Sequence, residues 1–187
     1  MEKQRMNSVI LQPVMMLLLS VFLMAACSNQ NKSKVTAPKV DIHTAVVTGN
    51  LEALQQHIDA GTNLNEKDPY GGSSPLISAA LFDKPAMVKL LIKAGADLNF
   101  QNNDGSTALI TAAFFGRPEI VRMLLDNGAD KTIKNKYGAT AYESVVAPFS
   151  DVKNSYAMME KMLKPMGLKL DYAYLEKVRP EIAAMLK

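Results

Sequence analysis

The chain of 187 residues contains few side chains that could do chemistry by themselves. Its one cysteine, Cys27, and its two histidines, His43 and His57, cannot together form a Cys/His zinc site at the usual ligand spacings. The sequence contains neither a G-x-S-x-G nucleophile motif nor a phosphate-binding glycine loop. Cys27 also has no plausible base partner. We therefore predict no catalytic residue, no metal site and no cofactor, and we do not expect an enzyme.

Composition excludes several other classes of protein. With 48% hydrophobic and 21% charged residues, the chain can bury a core, so disorder throughout is not expected. A formal net charge of +3 argues against a nucleic-acid-binding protein, whose affinity depends on many cationic contacts to phosphate. The single cysteine allows no intramolecular disulfide.

The first 27 residues have the features of an export signal. Lys3 and Arg5 precede an apolar run over residues 9–26, whose densest part is shorter than the roughly 20 residues that a membrane-spanning helix needs. A basic start, a short apolar centre and small residues at the exit are typical of a secretory signal peptide. Residues 23–27 (LMAAC) resemble the lipobox of bacterial lipoproteins.

The lipobox resemblance implies that residues 1–26 are cleaved and that Cys27 is lipidated, with diacylglycerol on its thiol and an acyl chain on its amine. An uncleaved anchor helix is the alternative. Ser28 stands where an Asp commonly retains lipoproteins in the inner membrane, so it favours the outer membrane. Residues 27–38 are polar and lack periodicity, which predicts a flexible tether.

Internal repeats dominate the rest of the chain. Residues 94–99 (AGADLN) return as residues 127–132 (NGADKT) and are preceded by residues 60–65 (AGTNLN). Upstream of these copies, residues 75–80 (PLISAA) match residues 108–113 (ALITAA). The first copy is residues 42–45 (IHTA), and residues 140–143 (TAYE) begin a fourth. A period of about 33 residues indicates stacked structural repeats.

These motifs resemble the ankyrin repeat, with its T-P-L-H-x-A-A, V-x-x-L-L and G-A-D-x-N segments. The resemblance implies an all-α ankyrin-repeat solenoid, in which helix-turn-helix repeats are joined by β-hairpin loops. The repeats are expected at residues 39–68, 69–102, 103–135 and, in part, 136–147. Pro85 and Pro118 should start second helices, and Gly61, Gly95 and Gly128 should follow their ends as structural residues. The turn at residues 68–73 is one residue longer than the others.

Residues 148–187 are expected to form a degenerate repeat and a helical C-terminal cap. The second helix of the fourth repeat is predicted at residues 156–164, after the interruption at residues 147–148. Residues 179–186 (RPEIAAML) echo residues 117–124 (RPEIVRML). We interpret residues 171–178 and 180–186 as a degenerate helical pair that closes the array; an unrelated helical tail is the alternative.

Family resemblance implies that proteins bind to the hairpin tips and to the concave face of the first helices. Tyr70, Phe82, Phe115 and Tyr137 are expected to form an aromatic strip there; the alternative is that these rings pack under the hairpins or between repeats. The candidate protein-binding residues are Tyr70, Ser73, Leu81, Phe82, Asn103, Ser106, Phe114, Phe115, Arg117 and Tyr137. Further variable positions are Gly72, Ser78, Lys84 and Thr111.

Other polar residues have structural or solvated roles in this interpretation. The resemblance assigns structural hydrogen bonds between repeats to His43, while His57 is expected on the solvated surface. Asp97 and Asp130 should bond locally within their turns. The lysines at positions 131, 134 and 136 are expected on a solvated face, with an acidic partner or a lipid headgroup as the alternative.

Together these features predict a membrane-anchored ankyrin-repeat lipoprotein in the bacterial cell envelope. It should face the periplasm and act as a protein–protein interaction module for an unknown protein partner. Nucleic acid and small-molecule substrates are not expected. One alternative is an immunity or inhibitor protein that neutralises a toxin or enzyme in the periplasm, and another is a scaffold that assists an envelope enzyme in stress defence.

Overall fold

A computed structural model of the chain describes residues 36–187. The expected signal peptide, Cys27 and all but the end of the expected tether lie outside the described residues. Over residues 36–187 no helix has both the length and the apolar character required to cross a bilayer.

The described part of the chain is an all-α solenoid, which confirms the predicted fold class. Its first three repeats are the helix pairs α1 (Ile42–Thr48) and α2 (Leu51–Asp59), α3 (Pro75–Leu81) and α4 (Pro85–Lys93), and α5 (Ala108–Phe114) and α6 (Pro118–Asp126). The remaining helices are α7 (Glu143–Val146), α8 (Phe149–Leu163), a 3-10 turn (Lys164–Met166) and α9 (Tyr172–Leu186). Within residues 36–187 the expected β-hairpin loops are turns without assigned strands.

Local sequence determines where the helices of each repeat begin. Asp41, Ser74 and Thr107 cap the first helices, because each side-chain oxygen accepts the backbone N–H of the residue three positions later. Pro85 and Pro118 start the second helices, as predicted, at a position where the missing N–H has no cost. Residues 61, 95 and 128 follow the second helices with φ of 72°, 86° and 86°, a left-handed conformation that favours glycine.

Small side chains allow the first helices to stack closely. Ala79 and Ala80 on α3 and Ala112 and Ala113 on α5 are fully buried, and α3 packs directly against α5. The second helices contribute larger apolar residues, which are Leu54, Val88, Leu91, Val121 and Leu124. One continuous core therefore runs through the array, and the main helix contacts join neighbouring repeats.

Hydrogen bonds link the loops that follow the second helices. Asn65 Oδ1 accepts from Asp97 N at 3.0 Å, and Asn99 Oδ1 accepts from Asp130 N at 2.8 Å, so each asparagine joins its repeat to the next. Asp97 and Asp130 also accept from backbone N–H groups two residues later, at 2.9 and 2.8 Å. The predicted local bonding of these two aspartates is confirmed.

Neither histidine has the role expected of it. His57 is only 4% exposed, with Nε2 at 2.7 Å from Val40 O and Nδ1 at 3.1 Å from Thr62 Oγ1, so its predicted surface position is wrong. For His43, neither ring nitrogen has a hydrogen-bond partner within residues 36–187, in contrast to the structural bonding expected there. The His57 ring is bonded at both nitrogens because it reaches Val40, in the segment that precedes α1. The His43 ring reaches no such partner.

The fourth repeat is split by an inserted segment, and the predicted position of its second helix is wrong. Helix α9 packs against α6 and α7, and its residues Ile182 and Leu186 are buried in the shared core. Its C-terminal half, residues 179–186, therefore stands where residues 117–124 stand in the third repeat. Tyr172–Leu186 is also one continuous helix with Pro180 inside it, not the helical pair expected at residues 171–178 and 180–186. Residues 156–164 lie instead in α8 and the 3-10 turn, where only Tyr156 is buried.

Candidate functional site

Three turns project between the repeats, and an acidic or amide side chain organises each of them. Asp68 accepts from Tyr70 N, Gly71 N and Ser73 N at 2.7–2.8 Å. Asn102 Oδ1 accepts from Asp104 N and Ser106 N, and Asn135 Oδ1 accepts from Tyr137 N and Ala139 N, all at 2.9–3.0 Å. One backbone bond also closes each turn, from the N–H of its organising residue to Ser73 O, Ser106 O or Ala139 O. Together the side-chain and backbone bonds fix each turn.

Neighbouring turns are also bonded to one another. Asn103 N donates to Gly71 O at 2.9 Å, and Lys136 N donates to Asp104 O at 2.9 Å. Gly105 packs against the next turn so closely that a Cβ atom at this position would lie 3.1 Å from Lys136 N. The three turns therefore form one continuous, ordered edge of the molecule.

Each turn presents one exposed side chain two residues after its organising residue. These side chains are Tyr70, Asp104 and Tyr137, which we call the turn-tip row. Tyr70 is 84% exposed and Tyr137 is 78% exposed, and Asp104 between them is also exposed. Repeats pack at about 8–10 Å, so the two phenol rings stand roughly two such spacings apart.

The predicted binding residues of the turns occupy mixed environments. Tyr70, Asn103 and Tyr137 are exposed, while Ser73 and Ser106 are half-buried. Sequence reasoning missed Asp104, although its offset of two from Asn102 matches the offset of Tyr70 from Asp68. That shared offset was the signal that could have found it.

At the other end of the first helices, the predicted residues are less accessible. Leu81, Phe82, Phe114 and Arg117 are half-buried. Phe115 is only 4% exposed, so its predicted place in an exposed strip is wrong. Among the further variable positions, Ser78 and Thr111 are buried, as is Gly72, and Lys84 is half-buried.

Helix α8 packs its Tyr156 ring against the aromatic end of α5. The Tyr156 ring stacks on the Phe114 ring with centroids 4.6 Å apart, and it meets the Phe115 ring edge-on at 6.5 Å. The Phe149 ring also stacks on the Tyr156 ring, with centroids 5.7 Å apart. The inserted segment therefore covers the end of α5, whereas the equivalent Leu81 and Phe82 on α3 remain partly accessible.

A buried arginine holds this cover in place. The Tyr156 hydroxyl donates to Phe114 O at 2.5 Å and accepts from Arg179 Nη1 at 2.7 Å. Arg179 also donates to Ser144 O and Ala147 O, at 3.3 and 2.9 Å. Burial raises the pKa of Tyr156, although the neighbouring guanidinium opposes this change. The network joins α5, α7, α8 and α9 through uncharged oxygen acceptors.

Arg117 forms an ion pair with Asp83 across the second and third repeats, at 3.4 Å. Burial lowers the pKa of Arg117, while the Asp83 carboxylate opposes that shift. Asp83 has φ of 54°, a left-handed value that its counterparts Gly49 and Gly116 adopt with 78° and 67°. This ion pair joins the segments that follow α3 and α5, and it uses the Nη1 atom of Arg117.

The four rings expected to form one strip therefore lie in separate places. Tyr70 precedes α3 and Phe82 follows it, so seven helical residues, or about 10 Å, separate the two. Tyr137 lies on a projecting turn, as Tyr70 does, whereas Phe115 is buried. The turn-tip row is the coherent exposed surface among the candidates.

The expected basic cluster is exposed, and two of its lysines, Lys131 and Lys134, border a shallow open groove of about 510 Å³. The lining residues are Lys131, Thr132, Lys134, Thr140, Tyr142, Leu186 and Lys187. In the described part of the chain no group of three or more His, Cys, Asp or Glu side chains is placed to hold a metal ion.

Comparison with known proteins agrees with this architecture. A family model of ankyrin repeats in three copies matches residues 42–135, which is half of the chain. The chain therefore belongs to the ankyrin-repeat family.

Individual relatives match parts of the chain. The human protein phosphatase 1 regulatory subunit 27 is 39% identical over 64 residues, which are 34% of this chain and 41% of the relative. Inversin from Mus musculus is 38% identical over 58 residues, which are 31% of this chain and 6% of the relative. The crystal structure of the ankyrin repeat domain of Bcl-3, a member of the IkappaB protein family, matches with a TM-score of 0.54 and 36% identity. This match covers 55% of the chain described here and 45% of the Bcl-3 chain. The alignment spans less than half of each of these proteins.

Proposed function

We propose that this protein is a protein-recognition module whose principal contact surface is the turn-tip row of Tyr70, Asp104 and Tyr137. The observation that carries the proposal is the exposure of two tyrosine rings on turns whose backbone is already fixed. Tyrosine supplies a large contact area and a hydroxyl at a low cost in side-chain entropy, and it is enriched among residues that dominate binding energy.

The order of the turns supports recognition by a preformed surface. Asx-type bonds fix each turn, and backbone bonds join the three turns, so little further ordering is needed when a partner binds. Leu81 and Phe82 supply a second, half-buried apolar contact at the far end of α3. The name of one relative describes a regulatory subunit, which supports association with a protein.

We further propose that the module is carried in the bacterial cell envelope on a lipidated Cys27. The supporting observation is in the sequence, where the only cysteine follows a short apolar run and the residues LMAA. A lipid anchor keeps the repeats at the membrane surface and raises their local concentration near envelope partners. Such a partner could be an enzyme or toxin that the module inhibits, or an enzyme that it assists.

Recovery of the partner after crosslinking in membranes tests the contact surface. The double variant Tyr70→Ala/Tyr137→Ala should recover at least tenfold less partner than the wild type, since its rings are exposed and their loss leaves the fold intact. Tyr174→Ala is the matched control, because it removes an exposed ring on α9, which is not part of the three turns. Equal recovery by the double variant and the wild type would remove the turn-tip row from the binding surface.

Mass spectrometry and membrane fractionation test the anchor. Wild-type protein should begin at Cys27 and carry acyl mass, while Cys27→Ala should lose that mass and be released from membranes. If Cys27→Ala stays attached with residues 1–26 still present, the uncleaved anchor helix is the correct interpretation instead.

A further inference from the structure

Helix α8 and the 3-10 turn that follows it expose an unusual group of methionine side chains. Met158 is 66% exposed, Met159 38%, Met162 65% and Met166 41%. We call these four residues the methionine stripe. They account for most of the exposed large hydrophobic side chains in residues 148–187.

The spacing of the stripe brings three sulfur atoms to one face of the helix. At about 100° per residue, Met158, Met159 and Met162 lie within an arc of about 100°. Met162 is four residues after Met158 and three after Met159, so it neighbours both of them, with Cβ separations of about 5–6 Å. Met166 follows one further turn along. Methionine has three rotatable side-chain bonds, which allow neighbouring sulfur atoms to converge.

Packing does not account for methionine at these positions. The covered face of α8 contains Tyr156 together with the partly buried Phe149, Val152 and Leu163, and none of these is a methionine. Elsewhere in the described residues methionine fills gaps in the core, as Met87 does on α4. On an exposed helix face, lysine, glutamate and glutamine have similar helix propensity and better solvation, so the thioether groups themselves are the distinguishing feature.

The charge distribution does not suit an attachment of this face to a lipid surface. The exposed lysines of α8, Lys153 and Lys161, project about 170° and 110° from the middle of the three-methionine arc, and the exposed Lys164 begins the 3-10 turn beyond the helix. An interfacial helix instead places lysines beside its apolar face, where they reach anionic headgroups. The stripe is thus neutral, soft and accessible to small ions.

We propose that Met158, Met159 and Met162 form a binding site for Cu(I), with Met166 as an additional thioether ligand. Soft sulfur ligands select Cu(I) over hard divalent cations. A thioether has no proton to lose, so binding needs no deprotonation and leaves the ligands uncharged. This inference goes beyond the proposed recognition of a protein and does not depend on it.

The test is an anaerobic titration of the full-length protein, carrying ¹³C-methyl methionine, with Cu(I) supplied as its acetonitrile complex. Ag(I) serves as a soft ion that does not change oxidation state under these conditions. One equivalent of either ion should shift the methyl signals of Met158, Met159 and Met162, while those of Met87 and Met123 stay in place. Mg²⁺ at the same concentration should shift none of them.

Leucine variants separate the sulfur atoms from the apolar surface. Met158→Leu/Met159→Leu/Met162→Leu keeps the size of the side chains and the helix, and it should bind Cu(I) at least tenfold more weakly. Met162→Leu alone should have the largest effect of the single variants, since Met162 neighbours both other ligands. The matched control is Met123→Leu/Met185→Leu, which should bind as the wild type does.

Parallel measurements with Cys27→Ser exclude a contribution from a free thiol at that position. The site is supported if the Cys27→Ser variant binds Cu(I) as the wild type does. The triple leucine variant should then lose this binding while its circular dichroism spectrum stays unchanged. Equal Cu(I) affinity in the triple variant, or no methyl shift of the stripe in the wild type, would overturn the proposal.

Discussion

Asp68 shows how one side chain sets the conformation of a turn. It occupies the position of Asn102 and Asn135, and all three use a side-chain oxygen to accept backbone N–H groups of the same turn. Asp68 differs in using its second oxygen as well, to accept from Ser73 N at 2.7 Å. This extra acceptor suits the longer first turn, which contains one more residue to be held.

The charge of Asp68 makes the first turn sensitive to acid. Burial acts to raise the pKa of Asp68, but the N–H groups of Gly71, Tyr70 and Ser73 outweigh it and hold the pKa below its usual value of 3.8. A carboxyl group whose pKa is lower in the folded state contributes stability above the unfolded pKa. This contribution is lost as the pH falls through the folded value.

We therefore expect Asp68→Asn to remove this pH dependence while keeping the turn, because asparagine holds the equivalent position in the other two turns. At pH 7 the variant should be less stable by about 1 kcal/mol or less, after screening by solvent. Urea unfolding at a series of pH values would show the difference from wild type shrinking below pH 3.8. A difference that stays constant down to pH 2 would contradict this role of Asp68.

Asp83 lies in a left-handed conformation where the equivalent residues of the neighbouring repeats are glycine. We expect Asp83→Ala to be less stable than Asp83→Gly by about 1 kcal/mol, because alanine pays the steric cost of positive φ. Both variants lose the ion pair with Arg117, so their difference in unfolding free energy reports on the backbone alone. Equal stability of the two variants would show that the turn relaxes when Asp83 is replaced.

At the scale of elements, the segment inserted into the fourth repeat determines which parts of the surface are open. Helix α8 covers the aromatic end of α5 through Tyr156, and α9 returns to complete the core. The approach of α9 is close: a Cβ atom on Gly116 would lie 2.6 Å from Leu175 Cδ2 and 3.1 Å from Val178 Cγ1. Glycine is therefore required at position 116 both by the close contact with α9 and by the positive φ.

Gly116→Ala should separate these two requirements. We expect it to destabilise the protein by about 1–3 kcal/mol more than Gly138→Ala does, since overpacking adds to the backbone cost. Gly138 is the matched control, because it has φ of 77° and a Cβ atom at this position would have no neighbour within 4 Å. Chemical denaturation of the two variants measures the difference. If they are equally stable, α9 does not pack on Gly116 as described.

Tyr156→Phe tests the network that holds α8. The change leaves Arg179 without one acceptor and the Phe114 carbonyl without its donor, both in buried surroundings. We expect a loss of about 1–3 kcal/mol in unfolding free energy. Tyr174→Phe removes an exposed hydroxyl and should change stability by less than about 0.5 kcal/mol. A small effect of Tyr156→Phe, matching that of Tyr174→Phe, would mean that the network contributes little.

The repeats could be predicted from sequence because their signals are local. Proline at positions 85 and 118 and the recurring alanine pairs each report on one helix or one turn. The split of the fourth repeat was harder to predict, because two segments carry local signals of a second helix. These are the apolar residues around position 160 and residues 179–186, which echo residues 117–124. Only the tertiary contact of Ile182 and Leu186 with α6 determines which segment fills that place.

The same distinction applies to the candidate site. The positions of Tyr70 and Tyr137 on projecting turns could be predicted from turn motifs in their own repeats, and both residues are exposed. Phe115 resembles Phe82 in its local sequence, yet it is buried where segments far along the chain, including Tyr156, pack against the end of α5. The burial of His57 could not be predicted for a related reason, since its partner Val40 lies outside the helix that carries it.

For the whole described part of the molecule, the repeats form a stack in which each unit packs mainly on its neighbours, and α9 closes the C-terminal end of the core. The three turns lie along one edge of this stack, where backbone bonds connect them. A partner can therefore meet Tyr70, Asp104 and Tyr137 at once. The outer faces of the second helices present solvated residues such as Lys89 and Arg122.

The most direct test of this account is site-specific photocrosslinking in living cells. A photoreactive phenylalanine analogue would replace Tyr70, Asp104 or Tyr137 in turn, with Lys89 and Arg122 as control positions on the outer faces. We expect the three turn positions to crosslink to the same partner protein and the two control positions to give no such product. Crosslinks from positions 89 and 122 that equal or exceed those from the turns would contradict the assignment of the turn-tip row as the contact surface.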